Sequence, residues 1–135
     1  SSSISSSSSS RNLVAMPPKA AVKLAHELLS NARDSGSDDA VWEDIFEKLR
    51  KKPEALARPP ERKMTLLHQA AYWGNETAVN TLLTEFKADP RELTADGDNL
   101  DAASMAKLRE YADEIGALLM AAVAHISGVV AADLL

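Results

Sequence analysis

The chain has 135 residues, of which 45% are hydrophobic and 26% are charged, so it is long enough for one domain with a modest core. It contains no cysteine, which excludes disulfide scaffolds, thiolate metal sites and cysteine nucleophiles. The net charge of −5 at pH 7 argues against nucleic acid as a partner, because phosphates repel an acidic surface. Aromatic residues make up only 4%, so alanine and leucine must supply most of the core, which suits closely packed helices.

Residues 1–16 are rich in serine, which buries no apolar surface, and we expect them to form a disordered tail. Three origins fit this stretch: added sequence ahead of a start at Met16, a native low-complexity tail, or part of an organellar transit peptide. No apolar segment of the secretory kind follows a basic start. The cytoplasm is therefore the expected location, with a plastid or mitochondrion as the alternative.

Two helices are predicted in residues 17–61. Pro17 and Pro18 suit the first turn of a helix, and apolar residues follow at helical spacing up to Ala32. After a break at residues 34–39, Asp38 or Asp39 can cap a second helix over about 41–52. Pro53 ends it, and residues 54–61 are predicted to be an extended linker or turn.

Residues 64–90 predict a short helix, a tight turn and a longer helix. Thr65 can cap the first helix, Gly74 can end it in a left-handed conformation, and Asn75 can cap the next. Apolar side chains recur at helical spacing through both segments. The first face is Leu66, Leu67, Ala70 and Ala71, and the second is Ala78, Val79, Leu82, Leu83 and Phe86.

A second unit follows a turn at residues 94–99. Residues 67–70 match residues 100–103 at an offset of 33, whereas the later apolar residues, such as Val79 and Ile115, match at an offset of 36. The two offsets predict about three additional residues in the second unit, near residues 106–111.

The run from Thr65 to Gly74, followed by Val79, Leu82-Leu83 and Ala88-Asp89, resembles an ankyrin repeat. It departs from that family's pattern at Leu66, where proline is usual, and before Ala88, where glycine is usual. The resemblance covers roughly half of the chain. It implies an all-α fold of stacked helix-turn-helix units, with degenerate capping helices at 17–61, a repeat at 62–94, and a divergent repeat plus C-terminal helix at 95–135. A hydrogen bond from the Thr65 hydroxyl to the His68 ring would satisfy a buried histidine without a metal.

The resemblance also implies where a partner would bind, because ankyrin repeats contact proteins through their hairpin tips and the outward face of their short first helices. We expect the two aromatic residues among these positions to be anchors, although Trp73 could instead pack under the preceding hairpin. Carried over by position, the partner-binding residues are Arg62, Lys63, Met64, Gln69, Tyr72, Trp73, Asp96 and Asp98.

No motif predicts catalysis, a cofactor or a metal. The three histidines have no partners at metal-ligand spacing. Residues 96–107 begin like a calcium loop but place Leu100 at the fifth position and Lys107 at the twelfth, where oxygen ligands are needed. We therefore expect a protein that is not an enzyme.

Residues 115–135 have few charges and approach the length of a membrane span, but polar residues and glycines interrupt them. A buried capping helix, or a helix that docks on a partner, is the preferred interpretation. The expected function is a non-catalytic protein–protein interaction module, an adaptor or scaffold. The alternatives are a structural or accessory subunit of a larger assembly, in an organelle or elsewhere, and a fragment of a larger protein.

Overall fold

The computed structural model describes residues 18–127, without the side chains of residues 125–127. Within this range the chain forms helices and no strand, so the prediction of an all-α fold is confirmed. The predicted disordered tail at 1–16 and the last residues of the predicted C-terminal helix, 128–135, lie outside the described residues. The α-helices are α1 (Lys19–Ser35), α2 (Asp39–Lys51), α3 (Leu66–Trp73), α4 (Glu76–Thr84), α5 (Ala102–Leu108) and α6 (Ala112–Ser127), and a 3₁₀ helix (Pro53–Leu56) follows α2.

The helices form three consecutive helix-turn-helix units, α1–α2, α3–α4 and α5–α6. The first helices contact one another in the order α1, α3, α5, and α4 packs beside α6. One continuous core runs through the three units, with fully buried Leu28, Ile45 and Leu82 among its larger side chains. Each unit alone would leave an apolar face in water, and the neighbouring units cover it.

The first unit follows its prediction at the cap of α2 and differs from it in part at its two ends. Pro18 precedes α1 as its cap, and of the two candidate aspartates it is Asp38 that caps α2, with its side chain accepting from the Ala40 N–H at 3.0 Å. The segment predicted as an extended linker or turn begins with a 3₁₀ helix at Pro53 that contacts α1 and α2, so its first residues are not extended. Proline suits the first turn of such a helix, and Ala55 is buried in the core.

The caps of the second unit are as predicted. The Thr65 hydroxyl accepts from the His68 N–H, and the His68 ring accepts from the Thr65 N–H, which together form a capping box. Gly74 ends α3 with a φ of 70°, and Asn75 accepts from the Ala78 N–H at 3.1 Å to begin α4. α4 ends at Thr84, however, so Phe86 lies beyond the helix.

Equivalent residues of the second and third units are 36 positions apart in the sequence. Asp101 caps α5 at the place where Thr65 caps α3, 36 residues earlier. At the same offset, the bond from the Asn75 N–H to the Ala70 carbonyl recurs as Tyr111 N–H to Ala106 carbonyl. The prediction of additional residues near 106–111 was therefore wrong, and the longer connection lies in the loop before α5. A leucine and an alanine three residues apart occur on many amphipathic helices. Residues 100–103 therefore match residues 67–70 in sequence, although α5 begins only at Ala102 and the two segments are not structurally equivalent.

In the first and second units, an aromatic ring of the following unit packs on the turn between the two helices. The Trp73 ring lies against Gly36 in the turn of the first unit, and the Tyr111 ring lies against Gly74 in the turn of the second. A Cβ built on Gly74 would stand 2.5 Å from the Tyr111 ring. Glu110 takes the place of Gly74 in the third unit with a φ of 63°. Each ring thus joins its own unit to the unit before it.

Replacing Gly74 with alanine should destabilise the protein more than replacing Gly97 does. Both glycines have positive φ, which costs an alanine about 1–2 kcal/mol. Nothing lies within 4 Å of a Cβ at Gly97, whereas at Gly74 the Tyr111 ring must move. We expect Gly74→Ala to cost at least about 1 kcal/mol more than Gly97→Ala in urea unfolding.

The same experiment includes a rescue. In the Tyr111→Ala background the two glycine substitutions should cost similar amounts, because the clashing ring is gone. Equal costs in the wild-type background would contradict the packing of Tyr111 on Gly74.

Candidate protein-interaction surface

The fully buried imidazole of His68 fixes the position of the loop that precedes α5. Its Nε2 lies 3.0 Å from the carbonyl oxygen of Glu92 and 3.1 Å from that of Leu100. Carbonyls only accept, so Nε2 carries the proton, and Nδ1 accepts from the Thr65 N–H at 3.2 Å. Burial lowers the pKa of His68, against the opposing effect of the two carbonyls, and this favours the neutral ring.

A backbone hydrogen bond joins the two tip loops, the segments that lead into α3 and α5. The Ala95 N–H donates to the Lys63 carbonyl at 3.0 Å. Thr94 is buried, and its hydroxyl donates to Asp96 at 2.7 Å while it accepts from the Leu100 N–H. The Thr94 hydroxyl is the main cause of a lowered pKa at Asp96, and the nearby charge of Lys63 adds to it. The loops are therefore held against each other near α3.

A groove of about 440 Å³ runs along the first helices of the three units, and we call it the first-helix groove. It brings together five of the eight residues predicted to bind a partner. The first-helix groove is lined by Leu29 and Arg33 of α1, by Glu61, Arg62, Lys63 and Met64 of the first tip loop, by Gln69 and Tyr72 of α3, and by Met105 of α5.

The five predicted residues differ in how exposed they are. Lys63 is exposed on the rim, and Met64 and Tyr72 are half-buried. Gln69 is almost wholly buried, with its amide nitrogen 3.7 Å from the Met64 sulfur. Arg62 is held in place by His26, because its Nε donates to His26 Nδ1 at 3.0 Å. The groove therefore has oriented walls rather than a row of freely rotating side chains.

The other three predicted residues lie outside the first-helix groove. The Trp73 ring covers Gly36, and its buried Nε1 has no hydrogen-bond partner within residues 18–127. Gly36 lies in the turn between α1 and α2, so Trp73 packs against the preceding unit at that turn and not under a hairpin tip. Asp96 and Asp98 are exposed on the second tip loop, where the Asp96 carboxylate accepts from the Asp98 N–H at 3.1 Å and shapes the turn.

Sequence reasoning missed four of the groove residues, namely Leu29, Arg33, Glu61 and Met105. Met105 is equivalent to Gln69 at the offset of 36 residues, so the correct register would have found it. The α1 residues have no repeat pattern to reveal them. The same register makes Arg109 the equivalent of Trp73, and its guanidinium lies 5.0 Å from the centre of the Tyr72 ring.

A second concave surface lies between α4 and α6, and we call it the second-helix groove. Its volume is about 780 Å³, and Leu83, Leu118, Ala121 and Ala122 supply its apolar lining. Ile115 and Leu119 are buried on the inner face of α6, whereas Met120 is 71% exposed. Among the described helices, none has both the length and the hydropathy that a membrane span requires.

The histidines are dispersed. His68 is held by Thr65 and backbone carbonyls, His26 contacts Arg62 and Glu61, and the side chain of His125 lies outside the described part of the chain. Across residues 18–127, no three histidine or carboxylate side chains cluster in a way that could hold a metal ion. Comparison with protein-family models, with curated proteins and with solved structures gives no match for this chain.

The buried neutral His68 predicts how stability depends on pH. The unfolded ring takes up a proton near pH 6.5 and the folded ring only at lower pH, so the unfolded state binds more protons in between. The contribution of His68 to stability is complete above pH 6.5 and is lost as the pH falls towards the folded pKa. We expect His68→Asn to lower the free energy of unfolding by about 2 kcal/mol at pH 7.5, because buried backbone groups lose their hydrogen bonds to the ring. Between pH 7.5 and 5.5 the variant should lose less stability than the wild type.

Urea unfolding at the two pH values measures both effects. His26→Asn is the matched control for the loss of a histidine that is not fully buried, and it should destabilise the protein less than His68→Asn at pH 7.5. A His68→Asn variant with the full pH dependence of the wild type would show that another group titrates in this range.

Proposed function

We propose that the chain is a non-catalytic protein–protein interaction module of the ankyrin-repeat kind, an adaptor or scaffold that holds a partner in its first-helix groove. The observation that carries the proposal is this groove itself. It joins residues of all three first helices and one tip loop, so the surface is continuous across the units. Rigid helices position most of its lining, as a specific binding surface requires.

The constant register of the second and third units supports the ankyrin-repeat kind. Both units have a side-chain cap on a short first helix, a left-handed residue at its end, and a second helix that begins within a few residues. The hydrogen bond from Ala95 to Lys63 joins successive tips. The first unit, with its α1 of 17 residues, serves as the proposed N-terminal cap.

The chemistry of the groove supports an interaction role. Leu29 and Met105 form an apolar floor, Tyr72 is a half-buried aromatic, and charged side chains stand on the rim. An apolar centre with a polar rim is typical of protein interfaces, and Tyr and Arg are enriched at their energetic centres. The cysteine-free sequence suits a reducing compartment, so the cytoplasm is the proposed location.

A structural subunit of a larger assembly is the second candidate. The second-helix groove favours it, because Met120 is largely exposed beside an apolar concave surface. An exposed apolar face of this kind suits a permanent contact. In that case the partner would cover α4 and α6 rather than the first helices.

Site-specific photo-crosslinking distinguishes the two candidates. A photoreactive phenylalanine derivative replaces Lys63 on the groove rim, Met120 on α6, or Glu43 on the exposed face of α2. In extract of the source cells, we expect a discrete adduct at Lys63 that excess unmodified protein suppresses, and no such adduct at Glu43. An adduct at Met120 without one at Lys63 would contradict the groove proposal and favour the assembly subunit.

A further inference from the structure

We infer that the first-helix groove takes an acidic peptide segment that carries one large apolar anchor side chain. The inference rests on the proposed function and specifies the chemistry of the partner. Two observations carry it: the excess of basic side chains around the groove, and the buried apolar floor beneath them.

The charge of the groove is opposite to that of the chain. Among its lining residues Arg33, Arg62 and Lys63 are basic and Glu61 is acidic, whereas the whole chain has a net charge of −5. Within residues 18–127, Arg33 and Lys63 form no ion pair, so their charges are open to an incoming carboxylate. A local basic site on an acidic protein attracts acidic segments to that place and not to the rest of the surface.

Arg62 is already oriented for such a contact. Its Nε donates to His26 Nδ1 at 3.0 Å and its Nη2 donates to the His26 carbonyl at 3.3 Å. These bonds fix the guanidinium plane through the ring and the carbonyl of His26, and no carboxylate of residues 18–127 forms an ion pair with it. A preorganised arginine loses less conformational entropy when it binds a carboxylate.

The floor of the groove supplies the place for the anchor. Leu29 and Met105 are buried beneath the opening, and Met64 and Tyr72 are half-buried at its sides. Methionine side chains adapt their shape to an inserted group. A volume of about 440 Å³ lies in the lower part of the range for small-ligand pockets, so it suits one or two side chains rather than a whole helix.

The second tip loop limits how long an acidic stretch can be. Asp96 and Asp98 are exposed there, and Asp96 is close enough to Lys63 for their charges to interact. A polyanion that extended past Lys63 would meet these carboxylates. A short acidic segment with an apolar anchor therefore fits better than a nucleic acid strand.

Three labelled ten-residue peptides test the inference by fluorescence anisotropy with the whole protein. The first peptide places one leucine within a short run of aspartates and glutamates flanked by serine and glycine, the second replaces the leucine with alanine, and the third replaces the acidic residues with lysines. We expect the first to bind at least tenfold more tightly than either other peptide, and to weaken at least threefold between 50 and 300 mM NaCl. Backbone amide NMR shifts should change at Lys63 and Met105.

Charge-reversal variants locate the contact. Arg33→Glu and Lys63→Glu should each weaken binding of the first peptide at least fivefold, whereas Lys51→Glu, on the exposed end of α2, should leave it unchanged. Thermal unfolding confirms that the variants remain folded. Equal weakening by Lys51→Glu would contradict a local site.

The outcomes separate the inference from the proposed function. Tighter binding of the lysine peptide with the same NMR shifts would overturn the acidic partner but support an interaction groove. No shift at the groove with any of the three peptides would also overturn the inference, and crosslinking at Lys63 would then decide the function independently. A dimer that the first peptide dissociates would identify the acidic occupant as a second copy of this chain and overturn a separate partner.

Discussion

The hydrogen bonds of His68 hold together the segments that form the candidate surface. One ring nitrogen accepts from Thr65 at the start of α3, and the other donates to the carbonyls of Glu92 and Leu100 in the following loop. The ring therefore closes the long loop before α5 onto the second unit. A buried side chain that could not both accept and donate at these places would leave backbone groups without partners, which is costly in a low-dielectric interior.

The position of that loop determines the shape of the first-helix groove. With the loop held, α5 packs beside α3, and Met105 reaches the floor of the groove next to residues of α1. Aromatic packing also holds neighbouring units together, since Trp73 and Tyr111 each pack on the glycine in the turn of the unit before. The units are thus joined by polar contacts at their tips and by ring packing at their helical turns. A surface built across three units can be rigid only if both kinds of contact are kept.

Local chemistry explains which features were predictable from the sequence. Thr65, Gly74 and Asn75 act on backbone groups within a few residues, so their roles as caps and turn follow from residue type and spacing alone. The surroundings of Trp73 depend on a turn 37 residues earlier, and the contribution of α1 to the groove depends on packing between units. The predicted register of the third unit was wrong because its apolar spacing fits two alignments, and the cap at Asp101 distinguishes them.

Nitrogen NMR of the His68 ring is the decisive experiment, because it observes the proton whose position the hydrogen bonds of the ring determine. We expect a neutral ring at pH 7 with Nε2 protonated and Nδ1 bare, a slowly exchanging Nε2 proton, and protonation of the folded ring only at a lower pH than that of an exposed histidine. A ring that titrates near pH 6.5, or that carries its proton on Nδ1, would show that His68 does not make these hydrogen bonds. In that case the loop before α5 would not be held by His68, and the groove would lack its principal support.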